Sequence, residues 1–208
     1  MLKKIGDTYG TLKNTHHHKG VTMLDIYEKY FEDFKNDRFN FLEIGVLDGS
    51  SVKTWKNYFP NAHIYGIDID PRCKAFEESN IVIEIGSQDS QETINNIVKK
   101  TDNGKFRIIM DDGSHINKLT IKSFELLYDR LEPGGMYIFE DMICTYSDAR
   151  SNWPGMSYNN LEDKDIFVND RTTFNTFIND IISNIDWEKK NMYSLHIYRN
   201  FYILIKDK

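Results

Sequence analysis

The sequence predicts an α/β fold, a doubly wound, Rossmann-like seven-stranded sheet with an antiparallel carboxy-terminal hairpin. Two observations carry this prediction. Short apolar runs alternate with segments of helical period from residue 39 to residue 140, as in consecutive βαβ units. The runs are continuously apolar, as expected of parallel strands that helices cover on both faces. At 208 residues, the chain is expected to form a single domain.

Residues 1–38 are predicted to form an amino-terminal helical segment. Its first part, residues 1–20, is polar and turn-rich. Thr22 and Asp25 form a capping box, which predicts that a helix begins there. The helix would bury apolar side chains at helical spacing, namely Met23, Tyr27, Tyr30, Phe31 and Phe34.

Strands and helices then alternate. The predicted strands cover residues 39–44, 63–68, 81–85, 106–111 and 136–140. The predicted helices between them cover residues 50–58, 72–78, 90–100 and 117–131, the last one ending before Pro133-Gly134-Gly135. An apolar helical stripe over 174–185 predicts one more helix, and runs at 192–198 and 201–206 around Arg199-Asn200 predict a β-hairpin.

Residues 142–169 interrupt the alternation and show no period. Such a long stretch without regular structure is typical of a functional lid or of a disordered segment. Its aromatic residues favour a lid, in which Tyr146, Trp153 and Tyr158 are candidate stacking surfaces. The histidine run His16–His18 is interpreted as an ordered or substrate-facing loop, with metal binding as the alternative.

Composition excludes several classes of function. The net charge of −6, with no basic block, disfavours a nucleic-acid-binding protein. Cys73 and Cys144 have neither metal-ligand spacing nor a disulfide framework, so we interpret them as ordinary thiols in a reducing compartment. No apolar run reaches the roughly 18 residues of a membrane span, and no signal-peptide core follows Met1. A cytoplasmic location is therefore predicted.

The segment FNFLEIGVLDG at residues 39–49 predicts a ligand site. An apolar run with an acidic Glu43 leads into Gly45 and Gly49, and a helical pattern follows. A strand, a tight turn and a helix present free backbone N–H groups at the carboxyl end of the strand. We expect Gly45 to let the backbone approach a ligand closely, because a Cβ atom would occupy the ligand's space.

Asp68, at the end of the second strand, indicates the kind of ligand. It follows Gly45 at about the separation at which an acid reaches ribose hydroxyls, although capping the strand end is the alternative role. The turn also lacks the GxGxxG pattern that a pyrophosphate requires. The ligand is therefore expected to contain a ribose and an amino acid portion.

Three acidic residues and a histidine lie at or just beyond the ends of the fourth and fifth predicted strands. Asp112, Glu140 and Asp141 are expected to lie close together, with no Lys or Arg among them, so that their charges would repel. A hard dication with oxygen ligands, such as Mg²⁺, would remove that repulsion. His115, just beyond Asp112, is placed to take a proton from a hydroxyl group, and capping the next helix is its alternative role.

These motifs have a family resemblance. FLEIGVLDGSSVKTW, YGIDID, GSQDS, IIMDDGSH and GGMYIFEDM together resemble class I S-adenosylmethionine-dependent methyltransferases. Over about residues 6–145, the chain is similar to the Mg²⁺-dependent sugar O-methyltransferases of macrolide and anthracycline pathways and to cephalosporin-hydroxylase-like proteins. Family members often carry GTDK near the amino terminus, where this chain has Gly10-Thr11-Leu12-Lys13 and lacks the acid.

The resemblance implies roles for individual residues. The implied cofactor-binding residues are Glu43, Gly45 and Gly49 at the methionine portion, Asp68 at the ribose, Ser87, Gln88 and Asp89 near the adenine, and Asp111. Asp112, Glu140 and Asp141 are implied Mg²⁺ ligands, and His115 is the implied catalytic base.

The resemblance also implies the reaction, in which S-adenosylmethionine methylates a hydroxyl of a sugar or surface-glycan acceptor with the help of Mg²⁺. Two alternatives stay open on the sequence alone: another oxygen acceptor, such as a phosphate-type group, and a non-catalytic cofactor-binding subunit. The expected partner is a small molecule or glycan, with no nucleic acid and no membrane insertion. Whether the chain forms a homo-oligomer is left open.

Overall fold

A computed structural model describes residues 1–15, 19–146 and 169–208. Its centre is a seven-stranded sheet in the order β3-β2-β1-β4-β5-β7-β6. The strands are β1 Asn40–Ile44, β2 His63–Asp68, β3 Ile81–Ile85, β4 Phe106–Asp111, β5 Leu131–Phe139, β6 Met192–Ile197 and β7 Tyr202–Lys206. Strands β1 to β5 are parallel, whereas β7 is antiparallel to both of its neighbours. The predicted fold class and the predicted hairpin are confirmed.

Helices cover both faces of the sheet. They are α1 Leu2–Tyr9, α2 Met23–Phe31, α3 Ser50–Tyr58, α4 Gln91–Lys99, α5 Asn117–Leu127 and α6 Arg171–Asp186. One core cluster joins α1, α2 and α3 to the sheet through side chains such as Phe41, and the other joins α4, α5 and α6 to it through side chains such as Leu42. Strand neighbours thus point to opposite faces, and both faces are apolar, which explains the continuous apolar runs in the sequence. None of the helices in the described ranges is long and apolar enough to cross a bilayer.

The amino-terminal segment is more ordered than its polar sequence suggests. Helix α1 occupies part of the turn-rich residues 1–20 and buries Leu2 completely. Gly6 allows this packing, because a Cβ atom there would lie 2.3 Å from Leu24 Cδ1. The capping box of Thr22 and Asp25 is confirmed at the start of α2. Helical period alone did not reveal α1, because only one narrow face of this short helix is apolar.

The largest differences from the sequence prediction concern three elements. The segment predicted as a helix at 72–78 is a 3₁₀ helix, Pro71–Phe76. Helix α5 ends at Leu127, and a 3₁₀ turn leads directly into β5, which already begins at Leu131 and runs through the Pro-Gly-Gly sequence. The register between β4 and β5 shifts there, which accommodates these turn-forming residues in a strand.

Of the segment interpreted as a lid, the structure describes 142–146 and 169. Met142–Tyr146 forms a 3₁₀ helix, and Tyr146 is exposed. Trp153, Tyr158 and His16–His18 lie outside the described residues, so the lid and the histidine loop stay predictions.

Candidate active site

A cavity of about 610 Å³ opens at the carboxyl ends of the parallel strands. In the strand order, β1 lies between β2 and β4. The connection after β1 leads to β2 on one side of β1, and the connection after β3 leads back to β4 on its other side. Ligands in open α/β sheets bind at such a switch point. The sequence-predicted residues that line the cavity are Gly45, Asp68, Ser87, Gln88, Asp112, His115, Glu140 and Asp141. The cavity volume is in the range typical of small-molecule sites.

Four predicted site residues lie around the cavity without lining it: Glu43, Gly49, Asp89 and Asp111. Glu43 is fully buried and accepts a hydrogen bond from Ser51 Oγ at 2.7 Å. Gly49 precedes α3 with φ +76°, and a Cβ atom there would meet the Phe76 ring at 2.5 Å. The side chain of Asp89 accepts a hydrogen bond from Ser87 Oγ.

Gly45 is required for a different reason from the one expected. Its φ of +88° favours glycine, but an added Cβ would lie 2.1 Å from the backbone oxygen of Asp112 and 3.0 Å from Gly113 Cα. The space beside Gly45 is therefore filled by the loop after β4 and not by a ligand. Glycine here allows the β1 turn and the β4 loop to come into contact, and residues of both segments line the cavity.

Asp68 organises the glycine turn. Its Oδ2 accepts hydrogen bonds from Val46 N at 2.8 Å and Leu47 N at 3.0 Å, and its Oδ1 accepts one from Asp70 N at 2.8 Å. Asp68 thus caps the strand end, which was the alternative to its predicted role in binding a ribose. It also lines the cavity. A carboxylate has about four acceptor positions, so these bonds leave capacity for a ligand hydroxyl.

Asp111 and Gln88 form a buried network beneath the cavity. Gln88 Nε2 donates to Asp111 and, at 3.2 Å, to Ser123 Oγ, while Gln88 Oε1 accepts from Ser114 N at 2.8 Å. Burial raises the pKa of Asp111 to about 6, although donors such as the Ser123 hydroxyl and Gly113 N oppose the rise. The network joins the end of β3 to the loop that carries His115.

At the other end of the cavity, Asp112, His115 and Asp141 each offer one ligand atom, and these atoms lie within 4.8 Å of one another. We call these three residues the metal group. His115 Nε2 lies 3.5 Å from Asp141 Oδ2. His115 and Asp141 both have left-handed backbone conformations, with φ of +55° and +52°. Such strain in non-glycine residues is typical of functional sites.

Two asparagines that sequence reasoning missed hold this end of the cavity. Asn169 Nδ2 donates to the backbone oxygen of His115 at 2.8 Å and to that of Cys144 at 2.6 Å. Asn200, in the turn between β6 and β7, donates through Nδ2 to Asp141 Oδ1 at 2.6 Å. Polar residues in turns are common, so the sequence carried no signal for these roles.

The expectation that no Lys or Arg lies among the clustered acids was wrong. Lys13 Nζ lies 2.5 Å from Asp112 Oδ2, 2.7 Å from Glu140 Oε2 and 3.4 Å from Glu43 Oε1. Burial alone would lower the pKa of Lys13, but the surrounding carboxylates outweigh burial and raise it well above its usual value. The only signal was the motif at residues 10–13, in which Lys13 is present.

Glu140 is not part of the metal group, and both of its oxygens have protein partners. Its Oε1 accepts from the Tyr27 hydroxyl at 2.8 Å, and its Oε2 pairs with Lys13. Burial raises the pKa of Glu140 well above its usual value, and the neighbouring Asp112 charge adds to the rise. The structure therefore brings together Asp112 and Asp141 from the predicted metal ligands, with His115 in the third position.

Known proteins resemble this chain in sequence. Mycinamicin VI 2''-O-methyltransferase of Micromonospora griseorubida is 37% identical over 136 residues, which are 62% of this chain and 32% of that protein. Demethylmacrocin O-methyltransferase of Streptomyces fradiae is 34% identical over 136 residues, with the same shares. A tetracenomycin rhamnosyl 2'-O-methyltransferase of Streptomyces olivaceus is 30% identical over 135 residues, 62% of this chain and 33% of that protein. The chain is a homologue of sugar O-methyltransferases. It spans about a third of the length of these relatives.

Solved structures agree with this relationship. The chain aligns over 100% of its length with 54% of the MycE methyltransferase chain, solved with Mg, SAH and mycinamycin VI, at 29% identity and a TM-score of 0.75. A putative caffeoyl-CoA O-methyltransferase from Staphylococcus aureus shares the fold at 16% identity, with a TM-score of 0.57 over 88% of this chain and 81% of that one. No protein-family model matches the chain. The resemblance stated from the sequence motifs is confirmed.

Proposed function

We propose that this protein transfers the methyl group of S-adenosylmethionine to a hydroxyl oxygen of a sugar or glycosylated acceptor, assisted by Mg²⁺. One observation carries the proposal: the same cavity contains the glycine turn with Asp68 at one end and the metal group at the other. A donor site and an acceptor site that share one cavity are what a group transfer requires, because the reacting atoms must meet.

The donor end fits S-adenosylmethionine. The turn from Gly45 to Gly49 lies at the end of β1, and Asp68 has acceptor capacity beside it for ribose hydroxyls. Ser87 and Gln88 line the cavity at the end of β3, where the adenine is proposed to lie. The MycE structures contain SAH, the demethylated product of this cofactor.

The acceptor end fits Mg²⁺. This ion is commonly held by one or two carboxylates and keeps its other positions for water or substrate, and Asp112 with Asp141 provides such a pair. Mg also occurs in the MycE structures. Of the predicted ligands, Glu140 is the least suitably placed, because Tyr27 and Lys13 occupy its oxygens.

Residues of the chain itself are placed to remove the proton of the acceptor hydroxyl. His115 Nε2 is the proposed base that takes the hydroxyl proton of the acceptor, and Asp141 Oδ2, 3.5 Å away, would stabilise the resulting imidazolium. The acceptor oxygen then bonds to the methyl carbon as the carbon–sulfur bond breaks, which leaves a neutral thioether. When bound, Mg²⁺ would supply positive charge that favours the deprotonated acceptor. Asn169 and Asn200 hold His115 and Asp141 in position.

The acceptor is proposed by class only. The names of two relatives state a rhamnosyl tetracenomycin and an L-olivosyl-oleandolide as the molecules that are methylated, so a sugar hydroxyl is the proposed methylation site. The absence of a nucleic-acid partner and the cytoplasmic location stay predictions from composition, and the state of association stays open.

Transfer of a labelled methyl group tests the proposal. The protein is incubated with methyl-labelled S-adenosylmethionine, Mg²⁺ and a panel of glycosides with vicinal hydroxyls, and the products are analysed by mass spectrometry. We expect one added methyl group on a sugar oxygen and loss of transfer with excess chelator. Transfer that persists after complete chelation would remove Mg²⁺ from the proposal, and cofactor binding without transfer to any glycoside would favour a non-catalytic subunit.

A further inference from the structure

Lys13 is a buried cation in the centre of the acidic end of the cavity. Only 5% of its side chain is exposed, and its ammonium group contacts carboxylates at the ends of β1, β4 and β5. Burying a lysine is costly unless it is paired, so these contacts determine where the lysine and its segment lie.

The segment that carries Lys13 forms one wall of the cavity. Leu12–Asn14 is a 3₁₀ helix, and Thr11 and Leu12 line the cavity together with Lys13. On its other side, the segment is joined to α1 through Asn14 Nδ2, which donates to the backbone oxygen of Lys3 at 3.2 Å. Leu12 itself is 51% exposed, so apolar burial contributes little at this residue. The ion pairs of Lys13 join this segment to the strand ends.

Asp112 belongs to two charged groups at once. It accepts from Lys13 Nζ at 2.5 Å, and it is also one of the three residues of the metal group. A dication near Asp112 would repel the ammonium group and attract the carboxylate more strongly than a single positive charge does. The ammonium group of Lys13 and a bound dication would therefore repel each other, and both would attract the carboxylate of Asp112.

We propose that Lys13 and the divalent ion compete for Asp112, so that metal binding detaches Lys13 from Asp112 and loosens residues 10–15 from the cavity. This inference rests on the metal site of the proposed function. Because Thr11 and Leu12 line the cavity, loosening them widens access to the metal group. Metal loading would then precede entry of the acceptor.

Calorimetric titration with Mg²⁺ alone tests the competition without any measurement of activity. Lys13→Met removes the competing charge and keeps an unbranched side chain of similar length. We expect it to bind Mg²⁺ at least about tenfold more tightly than the wild type, since a nearby positive charge opposes the ion. Lys4→Met is the matched control, because Lys4 is exposed on α1 and does not line the cavity. Its affinity should equal that of the wild type.

The outcomes separate this inference from the proposed function. Equal Mg²⁺ affinity of Lys13→Met and the wild type would overturn the competition and leave the metal site standing. Absence of binding to both proteins would overturn the metal site together with the inference.

Amide hydrogen exchange of the wild type provides a second test that needs no variant. The backbone amides of Gly10, Thr11, Asn14 and Thr15 donate hydrogen bonds within or next to this segment. We expect saturating Mg²⁺ to speed their exchange several-fold while the amides of α2 stay unchanged. Unchanged or slower exchange in residues 10–15 with bound Mg²⁺ would overturn the coupling, and this result decides the matter if Lys13→Met does not fold.

Discussion

Asp111 is a buried carboxylate whose ionisation the fold opposes. Burial raises its pKa to about 6, above the value of about 3.9 expected in an unfolded chain. The folded state therefore binds this proton more tightly, and the stability that results is complete below about pH 4 and is lost as the pH rises through about 6. The shift corresponds to at most about 3 kcal/mol.

Asp111→Asn should remove this pH dependence. We expect the free energy of unfolding of the wild type, minus that of the variant, to fall by up to about 3 kcal/mol between pH 4 and pH 7. Urea unfolding of both metal-free proteins at several pH values measures this difference. Parallel pH profiles would contradict the raised pKa of Asp111.

His115 has two possible roles that one variant separates. As the base, it contributes about 10²–10⁴ in rate, so His115→Ala should lower turnover by that factor while Mg²⁺ affinity stays nearly constant. As a metal ligand, its loss should weaken Mg²⁺ binding strongly. Single-turnover kinetics and calorimetry on the same protein distinguish the two. His63→Ala is the control, since His63 begins β2, whose other end is at the cavity, and does not line the cavity.

Residue types predicted the acids and the histidine of the site, but not their partners. Asp112 and His115 follow β4 closely, so the parallel sheet brings them to the cavity edge. Lys13 pairs with Asp112 across 99 positions of the chain, and such contacts depend on tertiary packing that local patterns do not contain. The sequence therefore did not reveal that the cluster of acids contains a paired lysine.

Among the structural elements, the glycine turn after β1 offers a clear prediction. Gly45→Ala places a Cβ atom 2.1 Å from the Asp112 backbone oxygen at a φ of +88°. We expect a loss of about 3 kcal/mol or more in the free energy of unfolding, from left-handed strain together with overpacking.

Gly10→Ala is a matched control for this turn. Gly10 has a φ of +75°, but a Cβ there would meet nothing within 4 Å. Only the conformational cost of about 1–2 kcal/mol should remain. Chemical denaturation compares the two variants, and equal losses would show that the contact with the β4 loop contributes nothing.

Element positions were predicted best where packing on both faces forces a continuous apolar run. Strands β2, β3 and β4 have the predicted boundaries. Helix α1 and the early start of β5 were missed, because the first is stabilised by close packing at Gly6 and the second contains Pro and Gly in a shifted register. Tertiary contacts override local preference at both places.

For the molecule as a whole, a bound ligand should act as a stabiliser. The cavity joins residues from the amino-terminal segment, the glycine turn and the β4 loop, so occupancy favours the folded state. At about 100 times its dissociation constant, SAH should add about 2.7 kcal/mol and raise Tm by about 5–11 °C. Thermal melts with SAH and with NAD at equal concentration measure this effect. A shift with NAD as large as that with SAH would contradict the proposed cofactor.

The hydrogen bond between Asn200 and Asp141 also has a consequence for biosynthesis. The two residues are separated by 59 positions, so the ribosome adds Asn200 about 3–12 s after Asp141. During that interval, β5 has β4 as a neighbour but not yet β7. Asp141 is therefore held in its strained backbone conformation only after the β6–β7 turn has emerged. A nascent chain can form its glycine turn early, but the metal group is completed among the last steps of folding.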